Sequence, residues 1–536
     1  MLLLFIRGII NSRVVRLWSF FGVVGVLKDG DEGRTGNLLL LCFERPEMAA
    51  TGFCQGTIVK SICTLFRFSA ALALIAAIAL AHADTVAELN IPAHGIPGVE
   101  SAQLTPEFWI ARLSDPDRVI FDAATIATRN ENLLRVDKSM HDLRALPAVL
   151  SKEQVQGWIE ALSGRPSRPM FDGDGKPIST ATIDALVASL AESAIPDSRP
   201  ARYGLVVHRA DLRTFPTTLR AFNRADDHDI DRFQESALFP GAPVVIAHES
   251  ADGQWWFVVS SRYAAWIEKK HVAEGSAAQV FAHVDHKPYR IVTGATATTV
   301  TTPEQPALSA LRLDMGTRVA LLADWPAAKS VNGQNPYAAH VIELPLRGKD
   351  GRLEFAPALV QRNADTQADY LPLTGANIVR QAFKFLGERY GWGHAYDARD
   401  CSGFVSDVYH SMGVEMPRNT RDQSISPGLA HRSFGDGDDR AARMAAVQSL
   451  AVGDLVYIPG HVMMAIGSID GQPFVIHDTT GLSYRGHDGA KVHVDLNEVS
   501  VSPLAPLLFN DTQLYVDRIT SIVQIRPAPV QPAAQP

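Results

Sequence analysis

Three side chains in the last third of the chain, Cys401, His461 and His477, have the types and spacing that thiol chemistry needs. Cys401 lies in Asp400-Cys401-Ser402-Gly403-Phe404-Val405. Phe404, Val405, Val408, Tyr409 and Met412 fall on one face of a helix that would begin at the cysteine, with Asp400 as its cap and Gly413 at its stop. Unpaired amides and the dipole at a helix start favour negative charge, so the thiolate is expected to be stabilised there. His461 opens the strand pattern Gly460-His461-Val462-Met463-Met464-Ala465-Ile466-Gly467, and His477 ends Phe474-Val475-Ile476-His477. Adjacent antiparallel strands would hold both rings together, letting His461 share the thiol proton while His477 orients it. Each residue alone has an ordinary structural explanation, as a small core residue or a hydrogen-bonded strand end. Their conjunction points to nucleophilic catalysis.

The chain has 536 residues and four cysteines. Cys42, Cys54 and Cys63 precede Ala83, in a segment patterned as a leader: Lys60 and Arg67, then an apolar run from Phe68 to Leu80, then Ala81-His82-Ala83. The run is too short to span a membrane, which takes about 20 apolar residues. Export with cleavage before Asp84 is expected, with residues 1–47 an over-called start ahead of Met48 and the mature protein periplasmic or secreted. Cys401 would then be the one remaining thiol, without an internal disulfide partner. The net charge is −8, and the leader removes more basic than acidic side chains, which argues against nucleic acid as partner. The composition is 46% hydrophobic and 20% charged, globular and too long for one core. No HExxH or paired-cysteine ligand set occurs, so no metal or cofactor is expected, and His283 and His286 are read as surface residues.

The elements that must position the thiol fall into regions. Residues 84–200 read as mainly helical, with Ser151 capping the helix that follows it, and Ile195-Pro196-Asp197-Ser198-Arg199-Pro200 reads as a linker. Residues 201–275 are short β-rich runs such as Trp255-Trp256-Phe257-Val258-Val259, and residues 276–370 repeat that grammar, with Gly348-Lys349-Asp350-Gly351 as a turn. Residues 371–527 begin with the helical stripe Ile378, Val379, Ala382, Phe383 and Leu386, continue with the Cys401 helix, and end in strands at Leu455 to Ile458, His461 to Ile466 and Phe474 to His477. Residues 528–536 are a Pro- and Ala-rich tail, expected to be disordered.

Asp252-Gly253-Gln254-Trp255-Trp256-Phe257-Val258-Val259, followed by Tyr263-Ala264-Ala265-Trp266-Ile267, resembles the bacterial SH3-like domains attached to cell-wall hydrolases. Asp400-Cys401-Ser402-Gly403-Phe404-Val405, preceded by Arg389-Tyr390-Gly391-Trp392-Gly393 and followed by Pro417-Arg418-Asn419-Thr420, Gly453-Asp454-Leu455-Val456 and Gly460-His461-Val462, resembles the NlpC-type cell-wall cysteine peptidase family. The resemblance covers about Thr374 to Pro527; the upstream regions resemble the accessory domains of a multidomain subgroup. It implies an α+β fold, with a papain-like C-terminal catalytic domain preceded by two small all-β SH3-like barrels and a helical stabilising region. It implies a Cys-His-His triad at Cys401, His461 and His477, acting on the bond between γ-D-glutamate and a diamino acid in peptidoglycan stem peptides or muropeptides, by a monomeric enzyme. It further implies that the free amine of an N-terminal L-alanine is recognised by Tyr390, Asp400, Ser402 and Thr420. Thr420 stands where serine is common, and His394-Ala395 replaces the second glycine usual after Trp-Gly. Two other readings remain: a cysteine amidase or acyltransferase on another substrate, and a non-catalytic wall-binding protein. Tyr263 is a further candidate contributor from the first barrel.

Overall fold

Most of the described α-helices begin where a short polar side chain can accept a free backbone amide. Asp122, Ser151, Ser179, Ser276, Thr374, Asp400 and Asp439 each accept from the amide three residues on, starting Ala123–Val136, Lys152–Leu162, Thr180–Ser189, Ala277–Val284, Gly375–Phe383, Cys401–His410 and Arg440–Gln448. The computed structural model describes Ile96 and residues 98–527 except residue 487. The readings of residues 1–83 as leader and 528–536 as tail lie outside the described residues. Within those described, the chain is mixed α+β.

Among the described residues before 200 the chain is mainly helical, and Trp109, on the short helix Pro106–Ile110, is buried against Phe474 of the C-terminal sheet with ring centroids 5.3 Å apart. The stretch read as a linker is only partly one: Ser198–Pro200 pairs antiparallel with Val149–Ser151. Its proline closes the strand, where a missing amide costs no ladder hydrogen bond. Next comes a seven-stranded antiparallel sheet in the order Gln234–Leu238, Ala210–Arg213, Ala264–Glu268, Trp255–Val259, Pro243–Glu249, Arg202–Val206, Val272–Gly275. A five-stranded sheet follows, dominated by the hairpin Ala339–Arg347 and Leu353–Gln361, beside a two-stranded ladder. His283 is not a surface residue, because its ring stacks on Phe355 at 5.0 Å.

The C-terminal region is a six-stranded antiparallel sheet in the order His431–Ser433, Ser521–Val523, Leu455–Ile458, His461–Ile469, Gln472–Arg485, Lys491–Pro503. Alternation along these strands divides two cores. Val462, Met464 and Ile476 pack with Val405 and Val408 of the Cys401 helix, whereas Met463 and Val475 pack with Val447 of the helix Arg440–Gln448. The Cys401 helix closes earlier than its apolar stripe implies, at His410, and Gly413 (φ +78) completes the turn beyond it. The strand carrying His477 is longer than the apolar run alone implies, since its far half continues as a hairpin with Lys491–Pro503.

Candidate active site

Asp400 has extended backbone, and its Oδ1 accepts the Gly403 amide at 2.8 Å, so Cys401 is the first helical residue. At that position its own N–H has no intrahelical carbonyl to bond and remains available to a ligand. Cys401 is 4% exposed and is the free thiol among the described residues. Its sulfur lies 3.8 Å from Thr420 Oγ1 and meets the Val462 backbone amide. Thr420 is held there because Gln423, one turn on, donates to Ser402 O, Ser406 Oγ and Pro417 O while accepting from the Tyr457 hydroxyl.

Two effects at the helix start oppose a thiolate. Burial, followed by the adjacent Asp400 charge, pushes the Cys401 thiol up to about 12, outweighing the Val462 amide and the Thr420 hydroxyl. Burial thus opposes the thiolate expected at a helix start, because removing the sulfur from water penalises the anion.

His461 is placed by a tight hairpin: Leu455–Ile458 returns through Pro459-Gly460, with Gly460 at φ +81, so that Ile458 pairs with His461. The register that pairs Met464 with Ile476 makes His461 and His477 diagonal neighbours on one sheet face. His461 Nε2 lies 2.8 Å from His477 Nδ1, and His477 Nε2 lies 2.9 Å from Ser502 Oγ. Burial lowers His461 to about 4 and, with the neighbouring His461, takes His477 well below its ordinary value, so both rings are neutral near pH 7. A proton on His461 Nε2 donating to His477, and one on His477 Nε2 donating to Ser502, leaves His461 Nδ1 as an open acceptor. Ser502 has no sequence signal; it is found only through the strand register. Among the described residues the thiol and His461 do not form a hydrogen bond, so the structure brings the histidines together but leaves the sulfur on Thr420.

Asp400, Ser402 and Thr420 surround the helix start, and Tyr390 is buried beside them, its hydroxyl raised first by burial and then by Cys401 and Asp400. The charge of Asp400 already has a partner. Arg418, itself buried, reaches Asp400 Oδ2 at 2.8 Å, Oδ1 at 3.1 Å and Ser402 Oγ at 2.9 Å. Burial works against the Asp400 carboxylate, but Arg418, with the Gly403 amide and the Ser402 hydroxyl, offsets it and holds the group below its ordinary value. Arg418 is visible in the sequence beside Thr420, yet nothing local identifies its partners.

A second carboxylate was missed. Glu235, on the strand Gln234–Leu238, accepts the hydroxyls of Tyr263 and Thr214, each at 2.5 Å, and makes no ion pair among the described residues. Tyr263 faces Asn419 and the charge of Arg418, which brings this acid to the rim of the Cys401 site. Among the described residues no cluster of three metal-ligating side chains occurs, and no helix is long and apolar enough to cross a membrane.

Residues 387–500 match the model of the NlpC/P60 family, and residues 220–268 match that of an SH3 domain of the SH3b1 type. A gamma-D-glutamyl-L-lysine dipeptidyl-peptidase from Bacillus cereus is 28% identical over 181 residues, 32% of this chain and 48% of that protein, so the match spans about half of the relative's length. An NlpC/P60 endopeptidase from Photobacterium damselae subsp. piscicida superposes with a TM-score of 0.61 at 15% identity, covering 77% of this chain and 96% of the other, which shows a shared fold. An NlpC/P60 family protein from Bacillus cereus aligns at a TM-score of 0.42 and 20% identity over 61% of this chain and 100% of the other.

Proposed function

With an NlpC/P60 domain behind an SH3 domain of the SH3b1 type, the chain is, we propose, a peptidoglycan hydrolase that cleaves the γ-D-glutamyl to L-diamino acid bond of stem peptides with Cys401 as nucleophile. The observation that carries this reading is the hydrogen-bonded line Ser502, His477 and His461, in the same domain as a cysteine that opens a helix. The sulfur leaves Thr420 for Nδ1 of His461, which takes its proton as the thiolate attacks the γ-glutamyl carbonyl. The Cys401 amide supports the oxyanion of the tetrahedral intermediate. Collapse to a thioester expels the diamino-acid amine, which receives the proton from His461. Water, deprotonated by the same ring, then hydrolyses the thioester and restores the thiol.

Preference for a free N-terminal L-alanine is part of the proposal, with Glu235 as the acid that pairs with the substrate ammonium. Asp400, already neutralised by Arg418, shapes the pocket together with Ser402, Tyr390 and Thr420. On this reading the two antiparallel sheets of residues 201–275 and 276–370 are SH3-like barrels, residues 84–200 stabilise the catalytic unit, and the enzyme works as a monomer in the periplasm or outside the cell. Mass spectrometry of muropeptide digests tests the reaction: release of L-Ala-γ-D-Glu by the wild type and its loss in Cys401→Ala are expected. A different cut, or turnover that survives Cys401→Ala, overturns it.

A further inference from the structure

The loop Trp392–Asp397 carries a side chain that the reaction above does not use. Its backbone is left-handed at Gly393 (φ 59), His394 (φ 63) and Tyr396 (φ 60), a region that L-residues rarely occupy and that tends to persist where surrounding contacts enforce it. Those contacts are present: Arg209 donates to His394 O at 2.7 Å, Gln234 Nε2 to Gly393 O at 2.9 Å, and the Gly393 amide to Asp400 Oδ2 at 3.0 Å. The His394 ring is 3% exposed, lies edge-on to Phe239, and fills the space that Gly403 leaves in the first turn of the Cys401 helix. A Cβ added at Gly403 would sit 2.7 Å from His394 Cε1 and 2.8 Å from Nε2. Any side chain at Gly403 would therefore displace the ring.

His394 Nδ1 is 2.8 Å from Arg418 Nη2. A guanidinium only donates, so Nδ1 accepts, the ring proton is on Nε2, and the ring is neutral. The remaining N–H groups of Arg418 go to Asp400, Ser402 and, through Nε at 2.7 Å, Ser236 Oγ on the first sheet. His394 is thus the one neutral ring among the partners that aim this cation at both residues flanking the nucleophile. We propose that His394 is a positioning residue for recognition of the substrate's amino end, acting through Arg418 to hold Asp400, Ser402 and the rim bearing Tyr263 in one arrangement. This rests on the proposed preference for a free N-terminal amine.

The test compares His394→Gly and His394→Asn with wild type on L-Ala-γ-D-Glu-diamino acid and on its N-acetylated form. Glycine accepts the left-handed backbone and removes the acceptor; asparagine tolerates the same backbone and offers an oxygen close to where Nδ1 lies. His394→Gly is expected to raise KM for the free-amine peptide about tenfold, with kcat within about threefold, and to lower the preference over the acetylated peptide by a similar factor. His394→Asn is expected to restore both. Wild-type KM and selectivity in His394→Gly, or failure of His394→Asn to rescue, overturns the inference. Failure of the wild type to cleave the peptide at all overturns the proposed function instead. Selective 15N-histidine spectra at pH 7 then still decide the geometry: an Nε2–H tautomer at His394 that changes in Arg418→Met is expected, and an Nδ1–H or protonated ring refutes it.

Discussion

Cys401 and His461 shift in directions that oppose the thiolate–imidazolium pair expected at a helix start. With the thiol at about 12 and the imidazole at about 4, the neutral pair is favoured across the physiological range. The sign can be checked directly. A thiol raised to about 12 gains thiolate roughly tenfold per pH unit everywhere below that value. Alkylation of Cys401 by iodoacetamide in the substrate-free protein, read by mass spectrometry of the Cys401 peptide, should therefore climb steadily from pH 6 to pH 9. A rate that levels off near pH 6 would reveal a preformed ion pair and contradict the neutral assignment.

At the scale of elements, the strand pair Leu455–Ile458 and His461–Ile469 does the positioning. Its turn residue Gly460 has φ +81 and no atom within 4 Å of an added Cβ, so Gly460→Ala tests backbone strain without a clash. The substitution should cost about 1 kcal/mol in stability, left-handed strain being partly offset by a less flexible unfolded chain. It should lower kcat more than it raises KM, because the first residue to shift is His461. A loss of stability with unchanged kcat would mean that His461 is held by its bond to His477 rather than by the turn. Much of this was legible in the sequence: the cap at Asp400 and the apolar runs of the two strands are local signals. The diagonal placement of His461, His477 and Ser502 was not, because a register is a property of two strands and neither carries it alone.

Across the whole molecule, one buried cation joins regions that the sequence keeps far apart. Arg399 is fully buried and reaches Asp407 at 2.7 Å, Glu388 at 2.7 Å and Asp314 at 3.1 Å, while Arg209 reaches the same Asp314 oxygen at 2.7 Å and the carbonyls of His394 and Ala398. Arg399→Met keeps most of the volume but strands the buried Asp407, while Asp314 keeps Arg209 and Arg312. It should destabilise the protein by about 3–5 kcal/mol, read as a fall in the urea midpoint. A change under about 1 kcal/mol would mean that the carboxylates find other partners and that this network does not hold the second sheet to the C-terminal region.

Helix starts, strand periods and turn residues are set by neighbours a few positions away, so the sequence by itself determined that Cys401 opens a helix and that His461 and His477 lie on strands. It also carried the likeness of residues 387–500 to the NlpC/P60 family, whose model they match. Tertiary structure decided the protonation of the thiol, the pairing of Asp400 with Arg418, the arrival of Glu235 and Tyr263 from another sheet, and the seat of His394 against Gly403. The reason is physical: desolvation and charge compensation depend on which groups share a buried volume, and here those groups come both from nearby turns, as with His394 and Gly403, and from a distant sheet, as with Glu235 and Tyr263.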